Sequence, residues 1–339
     1  MYESTTSTRR RFLAAAGGTA AVGLAGCLGG SGGDLDELTV AHMPIYPDLQ
    51  WYVMEGEGYL ADVDAEIVGQ EFTDGPAIIQ ALGGGDIDVA MFGIVPSIIA
   101  IDRGLPVKVT AANIQEMLGI MADEEFQSLW EEHGADAFAV WEERTGSPFE
   151  FGTFPQGSTP DVFLRYWLSD GLGLDPESDV TITEINGANA VWQAIANGEV
   201  DGTSIMEPVP TIASEEGSSV SLFKTAAEIM PGQPGAVVTM SDTVRESDLA
   251  GQFLSAHVRA TEFIQENPDE TAVHVEEGIG MPEERARTAL ESPLSNFITD
   301  PREIESGTEV FARFAEANDQ TDERRTIDEI FDYNIYEAL

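Results

Sequence analysis

The residues of this chain best placed to do chemistry stand in short loops that open helices. Gln156-Gly157-Ser158-Thr159-Pro160 precedes a helical run through Val162, Phe163 and Tyr166. Ser158 or Thr159 can cap that helix, Pro160 suits its first turn, and free N–H groups at the positive end of the helix dipole form a place for an oxyanion. A plain helix cap uses the same residues, so both readings stand on the local sequence. Thr73-Asp74-Gly75-Pro76 is an equivalent helix start earlier in the chain, with the same pair of readings. Gly93 to Ser97 and Glu207 follow two short β-branched runs and should face one another. Glu207 can pair with an amine or stand as a solvated loop acid. Tyr46 and Trp51, at and after the end of the first strand, can offer aromatic faces to a small molecule or pack into the core.

Catalytic constellations are missing from the sequence. The four histidines, His42, His133, His257 and His274, have no metal-ligand spacing, and no Gly-x-Ser-x-Gly, phosphate loop or Cys-His pair occurs. No catalytic residue, no metal and no cofactor is expected. The one cysteine, Cys27, rules out an internal disulfide and a cysteine metal cage.

Its position gives Cys27 a different meaning. Thr8-Arg-Arg-Arg-Phe-Leu13 leads into an apolar, small-residue run from Ala14 to Gly26, the order of a secretory signal; the paired arginines before Phe-Leu resemble a twin-arginine export motif. The run is shorter than a ~30 Å hydrocarbon core requires. It ends in Leu24-Ala25-Gly26-Cys27, which resembles a lipobox, and a Gly/Ser-rich tether follows. Residues 1–26 therefore read as a signal peptide and 27–35 as a lipid-anchored tether, which places the folded body on the outer face of the cytoplasmic membrane, held by the lipid alone.

Charge narrows the setting. Sixty-one acidic against 16 basic residues give a formal net charge of -45, scattered along the chain, and the only lysines are Lys108 and Lys224. Such a chain cannot hold nucleic acid by general electrostatics. Acid enrichment with lysine depletion resembles a halophile's protein, because molar salt shortens the Debye length to about 3 Å and surface acids stop repelling. A salt-loving archaeon is the expected source.

The elements that must position the loops alternate. Strands are expected at 38–43, 65–68, 87–92 and 107–112, with helices at 49–59, 76–82 and 95–101 between them. A second set follows, with strands at 149–154, 180–185 and 200–205 and helices at 159–167 and 188–196. Gln80-Ala-Leu-Gly-Gly-Gly-Asp-Ile-Asp88 matches Gln193-Ala-Ile-Ala-Asn-Gly-Glu-Val-Asp201 without gaps, 113 residues apart. Each copy ends a helix at a glycine, Gly85 or Gly198, suited to a left-handed cap. Two similar α/β lobes follow: 36–115 as the first part of lobe I, 116–215 as lobe II, and 216–339 as a return crossover with C-terminal helices on lobe I. The acidic helical stretch 123–144 is expected to pack on lobe II, with a lid over the cleft as the other option.

These residues resemble the nitrate, sulfonate, taurine and bicarbonate branch of ABC-transporter solute-binding proteins, which includes binders of thiamine precursors. The resemblance rests on Gly56-Glu-Gly-Tyr-Leu60, Gly75-Pro-Ala-Ile-Ile-Gln-Ala-Leu82, Gly85-Asp-Ile-Asp-Val-Ala90, Gly157-Ser-Thr159, Gly198-Glu-Val-Asp-Gly202 and Met206-Glu-Pro208. It implies an α/β, bilobal, periplasmic-binding-protein-like type II fold, with two lobes joined by a two-stranded hinge and a ligand in the cleft. It also implies an anionic group at Gly157 to Thr159, a small-molecule solute, and an ABC permease with its ATPase as partners of a monomer. A sensory binding protein, or a pyrimidine-related biosynthetic enzyme of the same fold, are the other functions it admits. No arginine or lysine falls in the candidate loops, so capture should depend on short-range hydrogen bonds and aromatic contact.

Overall fold

The computed structural model describes residues 35–339; the expected signal, Cys27 and all but the last residue of the tether lie outside the described residues. Twelve strands are present among the described residues: β1 (Glu37–His42), β2 (Glu66–Glu71), β3 (Val89–Gly93), β4 (Val107–Ala112), β5 (Ile114–Gln115), β6 (Gly119–Asp123), β7 (Phe149–Thr153), β8 (Val180–Glu184), β9 (Gly202–Ile205), β10 (Val220–Thr225), β11 (Ala236–Ser241) and β12 (Asn296–Phe297). They form one sheet in the order β2-β1-β3-β11-β4, a second in the order β10-β6-β9-β7-β8, and a two-stranded piece, β12-β5.

Both large sheets have one design. In the first, β1 runs parallel to β2 and β3 while β11 runs antiparallel between β3 and β4. In the second, β7 runs parallel to β8 and β9 while β6 runs antiparallel between β9 and β10. The 113-residue offset extends well beyond the repeat motif: β4 and β10 start at 107 and 220, and the Gly75–Gly84 and Ala188–Ala196 helices start at 75 and 188. Gly85 and Gly198 take the expected left-handed backbone, at φ +78° and +66°. The first sheet takes its antiparallel strand, β11, from beyond the second, whose five strands, β6 to β10, are consecutive in sequence.

An inner strand such as β3 is continuously apolar because both of its faces are covered. Every residue of β3 is buried, as in the Val-Ala-Met-Phe-Gly run, whereas β2 at the sheet edge is mostly exposed. The second lobe closes around aromatic side chains. Phe126 lies 4.3 Å from Phe149 and 4.7 Å from Phe138 between ring centroids, and Trp141 lies 5.3 Å from Phe149. The Glu124–His133 and Ala137–Thr145 helices are thus part of the core of this lobe, with Phe126, Phe138 and Trp141 buried. They do not cover the cleft.

Two expectations need correction. β10 pairs with β6 in the second sheet, so the return to the first lobe begins after Thr225 and not at residue 216; the ladder over 220–225 requires it. The C-terminal segment also does not pack on lobe I alone. The Glu283–Leu290 helix reaches the Val209–Glu215 helix of lobe II, where Arg285 bonds Glu215 at 2.6 Å and Glu216 at 2.8 Å. Phe314 meets Tyr166 of lobe II at 5.9 Å between ring centroids. The end of the chain does return to lobe I, through Arg325 on Asp102 at 2.8 Å.

The hinge is held at Asn113, between β4 and β5 and fully buried. Its backbone N–H donates to Ala236 O, and its carbonyl accepts from Ile298 N–H at 3.1 Å and Gln50 Nε2 at 2.8 Å. Its Nδ2 donates to Pro47 O at 3.1 Å, which leaves Oδ1 to accept from His257 Nε2 at 3.0 Å. Burial lowers the His257 pKa to about 3, so the ring is neutral with its proton on Nε2. β12, from the C-terminal segment, pairs with β5 beside it and adds a strand to the expected two-stranded crossing.

Asp48, also fully buried, accepts the Met43 N–H at 2.9 Å and faces Asn113 Nδ2 at 3.4 Å. Burial raises its pKa well above the ordinary value, more than those donors lower it. A carboxyl with a raised folded pKa stabilises most when protonated. Its contribution is whole below the unfolded value and declines as pH rises through the folded one. Wild-type protein should therefore lose thermal stability relative to Asp48→Asn as pH rises above the ordinary carboxyl range, about pH 4. Parallel unfolding curves for the two proteins in molar KCl would contradict this account.

Candidate functional site

The cleft between the two sheets is closed, and about 20 Å³ of free space remains at its centre. Lobe I contributes Met43, Ile45, Gly75, Gly93 and Pro96 to its lining. Lobe II contributes Phe154, Ser158, Thr159, Pro160 and Met206, while Met117 and Ala236 come from the crossing segments. These positions lie past the C-terminal ends of the parallel strands and at helix starts, where open α/β sheets place their ligands. None of the lining residues has an ionisable side chain.

Four of the residues singled out from the sequence line this space: Gly75, Gly93, Ser158 and Thr159. Thr159 also joins the lobes, because its Oγ1 accepts the Val95 N–H at 3.4 Å, in the first turn of the Ile94–Asp102 helix. Ile94 N–H is taken by Gly235 O at 2.9 Å. Ser158 caps its own helix by accepting Asp161 N–H at 3.3 Å. The Gly157 N–H goes to the Asp161 carboxylate at 3.2 Å, and Arg165 bonds the same carboxylate at 2.7 Å. The loop thus carries an internal anion. Burial still raises the Asp161 pKa, against the downward pull of Arg165. Gly157, at φ +84°, needs the left-handed backbone open to glycine, and a Cβ there would press on Ile99 of lobe I at 3.2 Å.

The other expected contacts lie elsewhere. Trp51 is a core residue: its ring stacks on His42 at 4.6 Å between centroids, beneath Gly69 of β2, because the Leu49–Gly56 helix turns that face onto the sheet. Burial lowers the His42 pKa to about 4, so the ring under Trp51 is neutral. Tyr46 is buried beside the C-terminal segment, where its hydroxyl donates to Ala286 O at 2.8 Å. Ser97 is buried between Gly93 O and the Thr239 hydroxyl and supports the strand. Asp74 caps its helix by accepting Ala77 N–H at 2.8 Å, and the Thr73 hydroxyl bonds the same carboxylate at 3.1 Å. Gln156 is exposed and its N–H donates to Glu184 at 3.2 Å.

Glu207 is neither a solvated loop acid nor part of the cavity wall. It is 2% exposed, accepts Thr211 N–H at 3.2 Å and has Ser292 beside it. Burial raises its pKa. The carboxylate that the sequence left open to an amine or to solvent is thus used to hold a helix start.

The residues missed are mostly apolar: Met43, Met117, Phe154 and Met206. One signal was available for Met206. At the 113-residue offset the counterpart of Gly93 is residue 206, not 207, so the two facing residues at the ends of β3 and β9 are Gly93 and Met206.

A family model described as the NMT1-like family matches residues 31–277. The ligand-binding component of an ABC-type import system from Staphylococcus aureus superposes with a TM-score of 0.72 at 15% identity, covering 89% of this chain and 98% of that one. The alkanesulfonate-binding protein SsuA from Xanthomonas axonopodis pv. citri, bound to MOPS, gives 0.70 at 16% identity, covering 88% of this chain and 99% of that one. The nitrate-binding protein NrtA from Synechocystis PCC 6803 gives 0.72 at 16% identity, covering 90% and 88%. Over 205 residues the chain is 24% identical to a Brucella abortus protein whose name says only that it binds, and it spans 58% of that relative's length. The two-sheet α/β architecture is that of periplasmic binding proteins.

Gly93 has an ordinary helix-entry backbone, so only the space around it restricts its side chain. A Cβ there would overlap Thr159 Oγ1 across the cleft. Gly93→Val should hold the lobes apart and enlarge the radius of gyration in small-angle scattering. Adding Thr159→Ala should bring it back toward the wild-type value. Identical scattering from all three proteins would show that this contact does not limit closure.

Proposed function

The chain belongs to the NMT1-like family, and from that premise we propose that it is the extracytoplasmic solute-binding component of an ABC importer. The observation that carries this reading is a cleft whose wall is drawn from both lobes and from the crossings between them, so that closure and binding are one event. The ligand docks on one lobe, the hinge beside Asn113 closes the other over it, and the closed form engages a permease served by an ATPase. The importer components and binding proteins among the solved relatives support the assignment.

The solute is a small organic molecule with an oxyanion, of the sulfonate class in the first place. Nitrate, bicarbonate and pyrimidine precursors of thiamine are the other candidates. With Glu207 turned onto Thr211, the motive for a taurine-like amine falls away. The chain acts as a monomer, binds no nucleic acid and turns nothing over. Its N-terminus supports export by the twin-arginine route, with removal of residues 1–26 and lipidation of Cys27, and its acidity supports a halophilic archaeal source. Residues 36–115 and a return beginning after Thr225 build lobe I, and the segment between builds lobe II. The sensory role and the pyrimidine-related enzyme have no observation of their own in the cleft.

A thermal-shift panel in molar KCl with alkanesulfonates, taurine, nitrate, bicarbonate and thiamine pyrimidines tests the assignment. A true ligand at a hundredfold excess over its dissociation constant adds about 2.7 kcal/mol. Gly93→Val should weaken that ligand at least about tenfold, a loss of about 1.4 kcal/mol. Consumption of any compound in the panel would replace the transport reading with the enzyme.

Export is tested separately. Cys27→Ser should release the protein from membranes into the medium, with no change in folding. Retention of this variant on the membrane would remove the lipid anchor from the account.

A further inference from the structure

We infer that the cleft selects an aromatic ring carrying a single small oxyanion, an aromatic monocarboxylate being the simplest case, over amine-bearing and doubly charged solutes. This inference rests on reading the cleft as the solute site. It deepens that reading by naming the class of solute. Three observations carry it: the side chains of the wall, the fate of the nearby carboxylates, and the small number of donors at the helix starts.

The wall is built around three thioethers from three different parts of the chain. Met43 follows β1 in lobe I, Met206 follows β9 in lobe II, and Met117 lies in the crossing. Phe154 adds an aromatic surface among them. Thioether sulfur is polarisable and makes favourable contacts with ring edges, and the unbranched methionine side chain moves to fit an incoming ring. The 20 Å³ that remains is less than any ring needs, so the ring enters as the hinge opens and the methionines repack around it.

The nearby carboxylates are engaged elsewhere. Asp74 caps the Gly75–Gly84 helix, Asp161 is held by Arg165 and Gly157, and Glu207 is held by Thr211. An ammonium group on the ligand would therefore be desolvated without a counter-charge. A second anionic group would fare no better, since no cation lines the wall.

The donors suffice for one oxyanion. The helices that open on the cleft each have proline as their second or third residue, at Pro76, Pro96 and Pro160, and each proline removes an N–H from the end where anions bind. Val95 N–H is already bonded to Thr159. Among the described residues the Gly75 and Thr159 N–H groups have no hydrogen-bond acceptor, and the Ser158 and Thr159 hydroxyls lie in the same wall. One carboxylate spans such a set; a dianion would leave half of its oxygens without partners.

Calorimetric titration of the full exported protein in molar KCl with benzoate, cyclohexanecarboxylate, taurine, phthalate and nitrate tests the inference. Benzoate should bind at least about tenfold more tightly than each of the others, and Met206→Gln, which keeps the length of the side chain, should weaken benzoate by about fivefold. An unchanged unfolding midpoint for Met206→Gln separates lost contact from lost folding, and Met117→Leu serves as a second variant if that midpoint falls. If taurine, phthalate or nitrate binds as tightly as benzoate and Gly93→Val abolishes that binding, the inference is overturned while the solute-binding reading stands. Equal affinity for cyclohexanecarboxylate would overturn the preference for an aromatic ring. If none of the five binds but an alkanesulfonate does, the inference again falls alone; if no compound binds at all, both readings fall.

Discussion

The arrangement of both lobes depends on one fully bonded residue, backbone and side chain, at the point where the chain leaves the first sheet. Asn113 joins the Pro47–Gln50 segment, the return strand at Ala236, the long helix at His257 and the C-terminal segment at Ile298. Each partner comes from a different region of sequence. A buried amide with all its groups paired contributes geometry more than net energy, but leaving its partners bare would cost about 1–3 kcal/mol for each orphaned group. A hinge needs such a fixed base. Rotation has to be confined to the few residues of the crossing, so the residues just before it must not move.

From that base the two lobes repeat one plan and meet through small residues. Gly93 ends β3 and Met206, its counterpart in the repeat, directly follows β9, and Gly93 lies close enough to Thr159 that no side chain fits between them. Thr159 then does for lobe I what a cap residue does within a helix, taking the Val95 N–H from across the cleft. The C-terminal segment spans both lobes on the outside, through Arg285 on Glu215 and Glu216 and through Phe314 on Tyr166. Closure is therefore held at the cleft and at its periphery by groups far apart in sequence.

Much of this was legible in the residues and some of it was not, for identifiable reasons. β4 and the Ala188–Ala196 helix have the bounds read from the sequence, because β-branched alternation and a 3.6-residue period are local signals. The glycine caps at Gly85 and Gly198 were equally local. Trp51 was ambiguous because an aromatic near a strand end can face the cleft or the sheet, and only helix packing against β1 and β2 decides it. Glu207 was ambiguous because its partners include Ser292, more than 80 residues away. The methionines escaped notice for another reason: an apolar residue in an apolar run looks like core until two sheets are placed face to face.

The late arrival of β11 has a consequence for how the molecule comes into being. β11 is an interior strand of the first sheet and is made after every strand of the second, β6 to β10, which are consecutive in the chain. The first sheet stays split in two until Ser241 has left the ribosome, whereas the second has all of its strands once Thr225 is made. The second layer is therefore complete in sequence before the layer that its segment interrupts. The nascent molecule thus carries one full set of strands while the other set waits for its missing interior member.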